Sequence, residues 1–360
     1  MAMISPDISA RSKPDFVHLI DRIYVELCNL RPRERVLIIS DSRTPEHIVS
    51  AFVGVALTKG ADAVAIEAAI PAGGATYQPS AKWSPMVVAA STQADLIIDL
   101  AVGYADFIAK ACERGARVMS PGDGIGCPYL DDVLLRTMHH CDIHAIRRKA
   151  DRIAELFTRA KTCTLHTGEN DELTIDIEDL QGVPADGFLW DPDRKDWKAS
   201  YVILPPAQPG VIIPKGRGTG SVTVDGTLLW HPVYHEQPTT PLRLVYEEGH
   251  LVEVTSKCYL SNRLRNWLEE LGDADAFYGP VHLNVGINPN ALMTQHPEWE
   301  RIYGSVTCGT GDMGLVAESL GLSSNHVYTK SRVHWDWTVL DARVSLDNHV
   351  LVANGKVFDT

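Results

Sequence analysis

Ser331-Arg332-Val333-His334-Trp335-Asp336-Trp337-Thr338-Val339 alternates along its length and is rich in aromatic and β-branched residues. That pattern predicts a strand with two unlike faces. His334 and Asp336 share one face, with Cβ atoms roughly 6–7 Å apart, and Trp335 and Trp337 share the other. The tryptophan face can pack on a core. An imidazole and a carboxylate at that spacing can reach one metal ion from the same side. Taken alone, His-x-Asp on a strand is more often a solvated polar face.

A second stretch shifts that balance. Upstream, Phe277-Tyr278-Gly279-Pro280-Val281-His282-Leu283-Asn284-Val285-Gly286-Ile287-Asn288-Pro289 carries one histidine in a short alternating segment that ends in turn residues. His282, His334 and Asp336 together make a two-histidine, one-carboxylate set. Such a set leaves one face of a metal open and suits non-haem Fe(II) oxygen chemistry.

The same period of two runs through most of the chain after residue 162. It marks short strands at Cys163–His166, Leu173–Ile177, Tyr201–Leu204, Val211–Ile213, Gly220–Val224, Leu242–Tyr246 and His250–Val254, and a terminal pair at Ala342–Leu346 and His349–Ala353 turned by Asp347-Asn348. A helix is expected at Ser261–Leu271. Before residue 135 the pattern differs. Continuous apolar runs at Val36–Ile39, Ala63–Ile66, Asp95–Asp99 and Ala116–Met119 alternate with helical spacing at Phe16–Leu30, Thr44–Lys59, Pro85–Thr92 and Ala105–Arg114, with Thr44 as the expected cap of its helix and a loop at Pro71-Ala72-Gly73-Gly74. Strands alternating with helices predict a parallel sheet covered on both faces. The amphipathic stretch Asp142–Lys161 bridges the two regions. The expected architecture is an α/β N-terminal domain with a parallel sheet over residues 1–135, followed by an α+β, mostly antiparallel C-terminal domain over 136–360. Gly122-Asp123-Gly124-Ile125-Gly126 reads as a loop, because these glycines do not open a helix after the first strand as a dinucleotide site requires.

Composition narrows the function classes. The net charge of -13 over 360 residues, with no basic stripe, argues against nucleic acid or an anionic membrane as partner. No segment approaches the apolar length of a membrane span. The seven cysteines are odd in number, scattered, and form no Cys-x-x-Cys, which fits reduced thiols and a cytoplasmic location better than a disulfide framework.

Tyr278-Gly279-x-x-His282-x-x-x-Gly286, then Tyr303-Gly304 with Gly309-Thr310-Gly311, then His334-x-Asp336 and a terminal Gly355-Lys356-Val357-Phe358 resemble the pattern of the 2,5-dihydroxypyridine 5,6-dioxygenases. These are Fe(II) ring-cleaving enzymes on the scaffold of the M29 aminopeptidases, of leucyl aminopeptidase T type. The resemblance is specific in the last third of the chain. It implies Fe(II) on His282, His334 and Asp336, with a hydroxylated pyridine and O2 as substrates and extradiol-type cleavage of the ring. It also implies a homo-oligomer, since relatives on this scaffold form dimers or larger rings. The aminopeptidases supply the alternative, a dinuclear metal site with additional glutamates. This chain has Gly279-Pro280 where a Gly-Glu would stand, and no glutamate between Trp197 and Lys215.

Ring opening needs a group to take the substrate's hydroxyl proton and another to return one. Three candidates are Tyr104, which follows a strand of the parallel sheet; Asp196, in the polar loop Trp190–Trp197 near which the family places substrate contacts; and His231, one of a pair with His235. Asp312 and Glu318 could join the metal shell. Trp190, Trp197, Trp230 and Phe277 could form aromatic walls.

Overall fold

The computed structural model describes residues 7–69, 82–103, 105–124, 126–230, 233–255, 258–293, 298–322 and 326–359. The apolar runs of the first third form strands Arg35–Ser40, Asp62–Glu67, Leu96–Asp99 and Arg117–Pro121, paired in parallel. The runs of Arg35–Ser40, Leu96–Asp99 and Arg117–Pro121 are covered on both faces, whereas the edge strand Asp62–Glu67 is mostly exposed. Val36, Ile38, Leu96, Ile98 and Met119 pack on one side with Phe16 and Phe52. Leu37, Ile39, Ile97 and Val118 pack on the other with Val87, Phe107 and Ile108.

Several local expectations need adjustment. Helix Asp7–Arg22 continues through a wider turn, Ile23–Leu27. The next helix starts at Glu46 with Pro45 at its cap position, because the Thr44 amide and hydroxyl are both held by Asp41 Oδ1. A short helix at Leu130–Leu134 and a turn at Leu135–His139 had no clear signal. Helix Ile143–Arg159 begins as expected, with Asp142 Oδ1 accepting from Ala145 N at 2.9 Å. The expected loop at 71–74 lies outside the described residues.

The larger correction concerns Tyr201–Leu204. It is not an antiparallel strand. It returns to the first sheet and pairs in parallel with Arg117–Pro121, matching Tyr201 to Val118 and Leu204 to Pro121. Its run Tyr-Val-Ile-Leu does not alternate in polarity, and nothing local names a partner so far back in sequence.

Most of the other strands beyond the bridging helix form two large antiparallel sheets. One has seven strands, with His334–Val339 between Leu228–Trp230 and Val306–Gly311. The other has eight and includes the terminal hairpin, where Leu346 pairs with His349 and Asp347 takes φ 50°. The sheets share one core. Trp335, Trp337, Cys308 and Leu283 from the first meet Cys163, Leu165, Val222 and Tyr246 from the second. Filling one face of the seven-stranded sheet in this way turns its other face, with His334 and Asp336, toward the parallel domain. No helix among the described residues is long and apolar enough to cross a membrane.

The parallel sheet meets that face with the loops at its carboxyl ends, where open α/β sheets place ligand crevices. Two of these loops brace each other. Asp99 is fully buried; its Oδ1 accepts from Ala101 N and Val102 N at 3.0 and 2.7 Å, and its Oδ2 from Gly103 N at 2.7 Å. A Cβ on Gly124, which sits at φ 64°, would stand 2.2 Å from Gly103 N. Burial pushes Asp99 up to about 6 against the pull of those N–H bonds. Asp99→Asn turns one acceptor into a donor facing an N–H, so it should destabilise the protein by about 1–3 kcal/mol in urea unfolding. Because its folded pKa is raised, the contribution of Asp99 declines as pH rises through that value. The penalty should therefore be smaller at about pH 8 than at about pH 5.

Candidate metal centre

Three neighbouring antiparallel strands build the site. His282–Val285 pairs with Val306–Gly311, which pairs with His334–Val339, so Gly309 stands opposite His282 on one side and Asp336 on the other. A glycine is needed there. A Cβ on Gly309 would lie 2.4 Å from His282 Nε2 and 2.6 Å from His334 Cε1. The bare backbone lets two imidazoles from separate strands close over it, with ring centroids 5.6 Å apart.

Both imidazoles aim at one atom. His282 Nε2 lies 2.9 Å and His334 Nε2 3.0 Å from Asp336 Oδ1. All three residues are buried, at 7%, 2% and 5% exposure. Burial pulls the His334 imidazole down, but the Asp336 carboxylate and its hydrogen bond carry it above its ordinary value, with further help from Asp312. Burial likewise pushes Asp336 up; the His334 charge and the hydrogen bonds from both imidazoles outweigh it and hold the carboxyl well below the usual carboxylate range. Asp336 is therefore an ionised acceptor with two nitrogens directed at it.

This arrangement fits a metal ion. Ligands about 2.1 Å from one ion and at about right angles stand about 3.0 Å apart, which is the spacing found between the imidazole nitrogens and the carboxylate oxygen. Among the described residues these three are the one group of His, Cys, Asp and Glu side chains that offers three ligand atoms within 4.8 Å of one another.

The triad opens on a cavity of about 390 Å³ between the seven-stranded sheet and the parallel domain. Ile203, Ile212, Met313, Val316, Leu320 and Leu322 make much of its wall apolar, with Phe188 and Tyr201 as its aromatic side chains among the described residues. Its polar side is a buried network. Arg301 holds Asp123 through two bonds of 3.0 and 2.7 Å and Glu300 Oε2 at 2.9 Å. Gln208 Nε2 donates to the same Glu300 oxygen at 2.6 Å. Asp123 belongs to the glycine-rich loop; at φ 56° between Gly122 and Gly124 it presents its carboxylate to Arg301. That loop therefore braces the cavity.

A family model described as NicX, 2,5-dihydroxypyridine 5,6-dioxygenase, matches residues 16–359. The chain belongs to this family. The solved structure of 2,5-dihydroxypyridine dioxygenase from Pseudomonas putida KT2440 is similar over 96% of this chain and 97% of that one, with a TM-score of 0.72 and 17% identity. Wild-type AmpT from Thermus thermophilus is similar over 96% of this chain and 99% of that one, with a TM-score of 0.63 and 14% identity. At such identities the likeness to both structures is one of fold. No curated protein matches the chain.

Asp196 is exposed on the outer strand of a two-stranded hairpin, paired with the buried Asp191, and is not among the residues lining the cavity. Tyr104 and His231 lie outside the described residues. Asp312 holds Ser331 N at 3.0 Å, and Glu318 is paired with Lys330; neither lines the cavity. Trp190 and Trp197 pack on each other, Trp230 on Trp267, and Phe277 on His250, so none of these four supplies a cavity wall. Arg301, Glu300, Asp123, Gln208 and Asn284 were missed. Only Asn284 had a sequence signal, its place two residues after His282 on an alternating strand.

Gly309→Ala tests whether this geometry binds metal. Overpacking of this kind costs about 1–3 kcal/mol, so the variant should fold yet retain well under half the wild-type metal, measured by elemental analysis beside a thermal melt. Full metal content in the variant would show that the ion does not sit over Gly309.

Proposed function

We propose that His282, His334 and Asp336 hold one Fe(II), and that the protein uses it to open the ring of a hydroxylated pyridine with O2. The substrate would be 2,5-dihydroxypyridine or a close analogue. The observation that carries this reading is the convergence of two imidazole nitrogens and an ionised carboxylate on one point of a mostly apolar cavity. Membership of the dioxygenase family supports it. Two nitrogens and one oxygen on one face suit ferrous iron and leave positions for substrate and oxygen. Once bound, the ion supplies the electron transfer between ring and oxygen that amino-acid side chains cannot.

The chain's own residues do the rest. The apolar walls exclude water from the reacting face. The cavity volume suits a single small ring. His231 is the first choice for moving the substrate's hydroxyl proton. It follows directly on strand Leu228–Trp230, whose Leu229 is paired with Asp336. Tyr104, next to Gly103 in the loop that Asp99 holds, is the second. Asp196 has no part in this reading, because it is exposed and does not line the cavity.

The aminopeptidase alternative needs carboxylates for a second ion. The other carboxylates lining the cavity are tied to cations: Asp123 and Glu300 to Arg301, and Asp186 to Lys198. That favours one metal over two. All seven cysteines are free thiols, in keeping with a reducing compartment, and the cytoplasm is the location we propose. Self-association is proposed by analogy with the scaffold alone.

Metal content of anaerobically purified protein, with oxygen uptake on adding 2,5-dihydroxypyridine, tests the reading. About one iron per chain and substrate-dependent uptake are expected. Two zinc, cobalt or manganese ions with cleavage of an aminoacyl amide and no uptake would overturn it in favour of the aminopeptidase. His334→Ala and Asp336→Ala should lose the iron while keeping the fold. His231→Gln should keep the iron and lower kcat by roughly 100-fold or more; an unchanged kcat would remove His231 from proton transfer.

A further inference from the structure

Asn284 stands two residues after His282 on the same strand, so both side chains project from the same face, with Cβ atoms roughly 6–7 Å apart. The row it belongs to crosses the sheet as Thr338, Thr307, Asn284 and Gly210. The two threonines satisfy each other through their hydroxyls at 3.1 Å. Gly210 leaves room for the amide, since a Cβ there would stand 2.8 Å from Asn284 Nδ2. The amide's orientation is fixed, because Nδ2 donates to the Gln208 carbonyl at 2.9 Å. Asn284 is about nine-tenths buried, lines the cavity, and its Oδ1 accepts no hydrogen bond among the described residues. An acceptor that opens onto the cavity from a mostly buried residue is placed to take a donor from the ligand.

A 2-hydroxypyridine also exists as its lactam, 2-pyridone, whose ring N–H is such a donor. With the 5-hydroxyl at the triad, the lactam edge lies on the far side of the ring. His282 and Asn284 both line the cavity, from positions roughly 6–7 Å apart along the strand. We propose that Asn284 Oδ1 accepts the ring N–H of the substrate's lactam form and so makes the cavity specific for pyridones over carbocyclic diols. This rests on the ring-opening reading of the site for the placement of the hydroxyl. Asn284 is a specificity residue here, with no role in proton transfer.

The test is anaerobic calorimetry on the purified protein with its metal content assayed, comparing 2,5-dihydroxypyridine with hydroquinone, which has a C–H where the pyridone has its N–H. A site with an unpaired acceptor rejects the ligand lacking the donor, so the wild type should prefer the pyridone by roughly 10–100-fold. Asn284→Ala and Asn284→Leu should bring the two affinities together by weakening the pyridone, with hydroquinone binding and metal content unchanged. Equal affinities in the wild type, or a preference that survives in either metal-loaded variant, would overturn the inference. Oxygen uptake separates the two ideas. Uptake without a pyridone preference removes the role of Asn284 and leaves the dioxygenase standing, whereas a pyridone preference without uptake does the reverse.

Discussion

An ionised carboxylate buried between two imidazoles is the constraint around which this molecule is arranged. Moving a lone carboxylate out of water costs far more than any single contact returns. Asp336 is tolerable because His282 and His334 both direct Nε2 at its Oδ1. The imidazoles come from different strands, and the strand between them must have no side chain at the crossing. Gly309 meets that demand. A bound cation would replace the shared protons and satisfy the same three lone pairs. The geometry that makes the buried charge bearable is thus also the geometry of a ligand set.

The opposite face of the same strand explains why the triad is held rigidly. Trp335 and Trp337 are fully buried in the core between the two antiparallel sheets. Trp337 Nε1 donates to the Tyr246 hydroxyl at 3.1 Å, and that hydroxyl is 2.9 Å from Thr310 Oγ1. A rotation of the strand that disturbed His334 or Asp336 would pull indole rings from a close-packed interior. Each residue of the His-Trp-Asp-Trp run therefore restrains its neighbours through the pleat.

The parallel domain completes the cavity. Its strand ends deliver Asp123 to Arg301, a residue only 1% exposed that belongs to the segment before strand Val306–Gly311. A desolvated, two-bond Arg–carboxylate pair fixes the distance between the two halves more firmly than apolar contact would, because it has both length and direction. The return of strand Tyr201–Leu204 to the parallel sheet adds a covalent crossing, and Tyr201 and Ile203 line the cavity from that side. The pocket is therefore a product of both halves.

The sequence alone marked most of the strands and helices and singled out His282, His334 and Asp336 as candidates, because alternation and helical spacing are short-range. Continuous apolar runs marked strands covered on two faces, alternation marked strands covered on one, and the alternation around residues 334–339 separated the tryptophans from the polar pair. Tertiary structure alone decided which strands became neighbours. Pairing of Tyr201–Leu204 with Arg117–Pro121, the crossing of His282 and Asp336 at Gly309, and the meeting of Asp123 with Arg301 all join residues far apart in the chain. Such contacts leave no local trace. A buried arginine and an exposed one are spelled alike, and so are an aspartate in a left-handed turn that braces a cavity and one in a solvated loop. The Trp190–Trp197 loop shows the same limit from the other side. The family resemblance implied substrate contacts near it, yet it folds into a hairpin whose tryptophans pack on each other, with Trp197 under Arg117, and its residues are not among those lining the cavity.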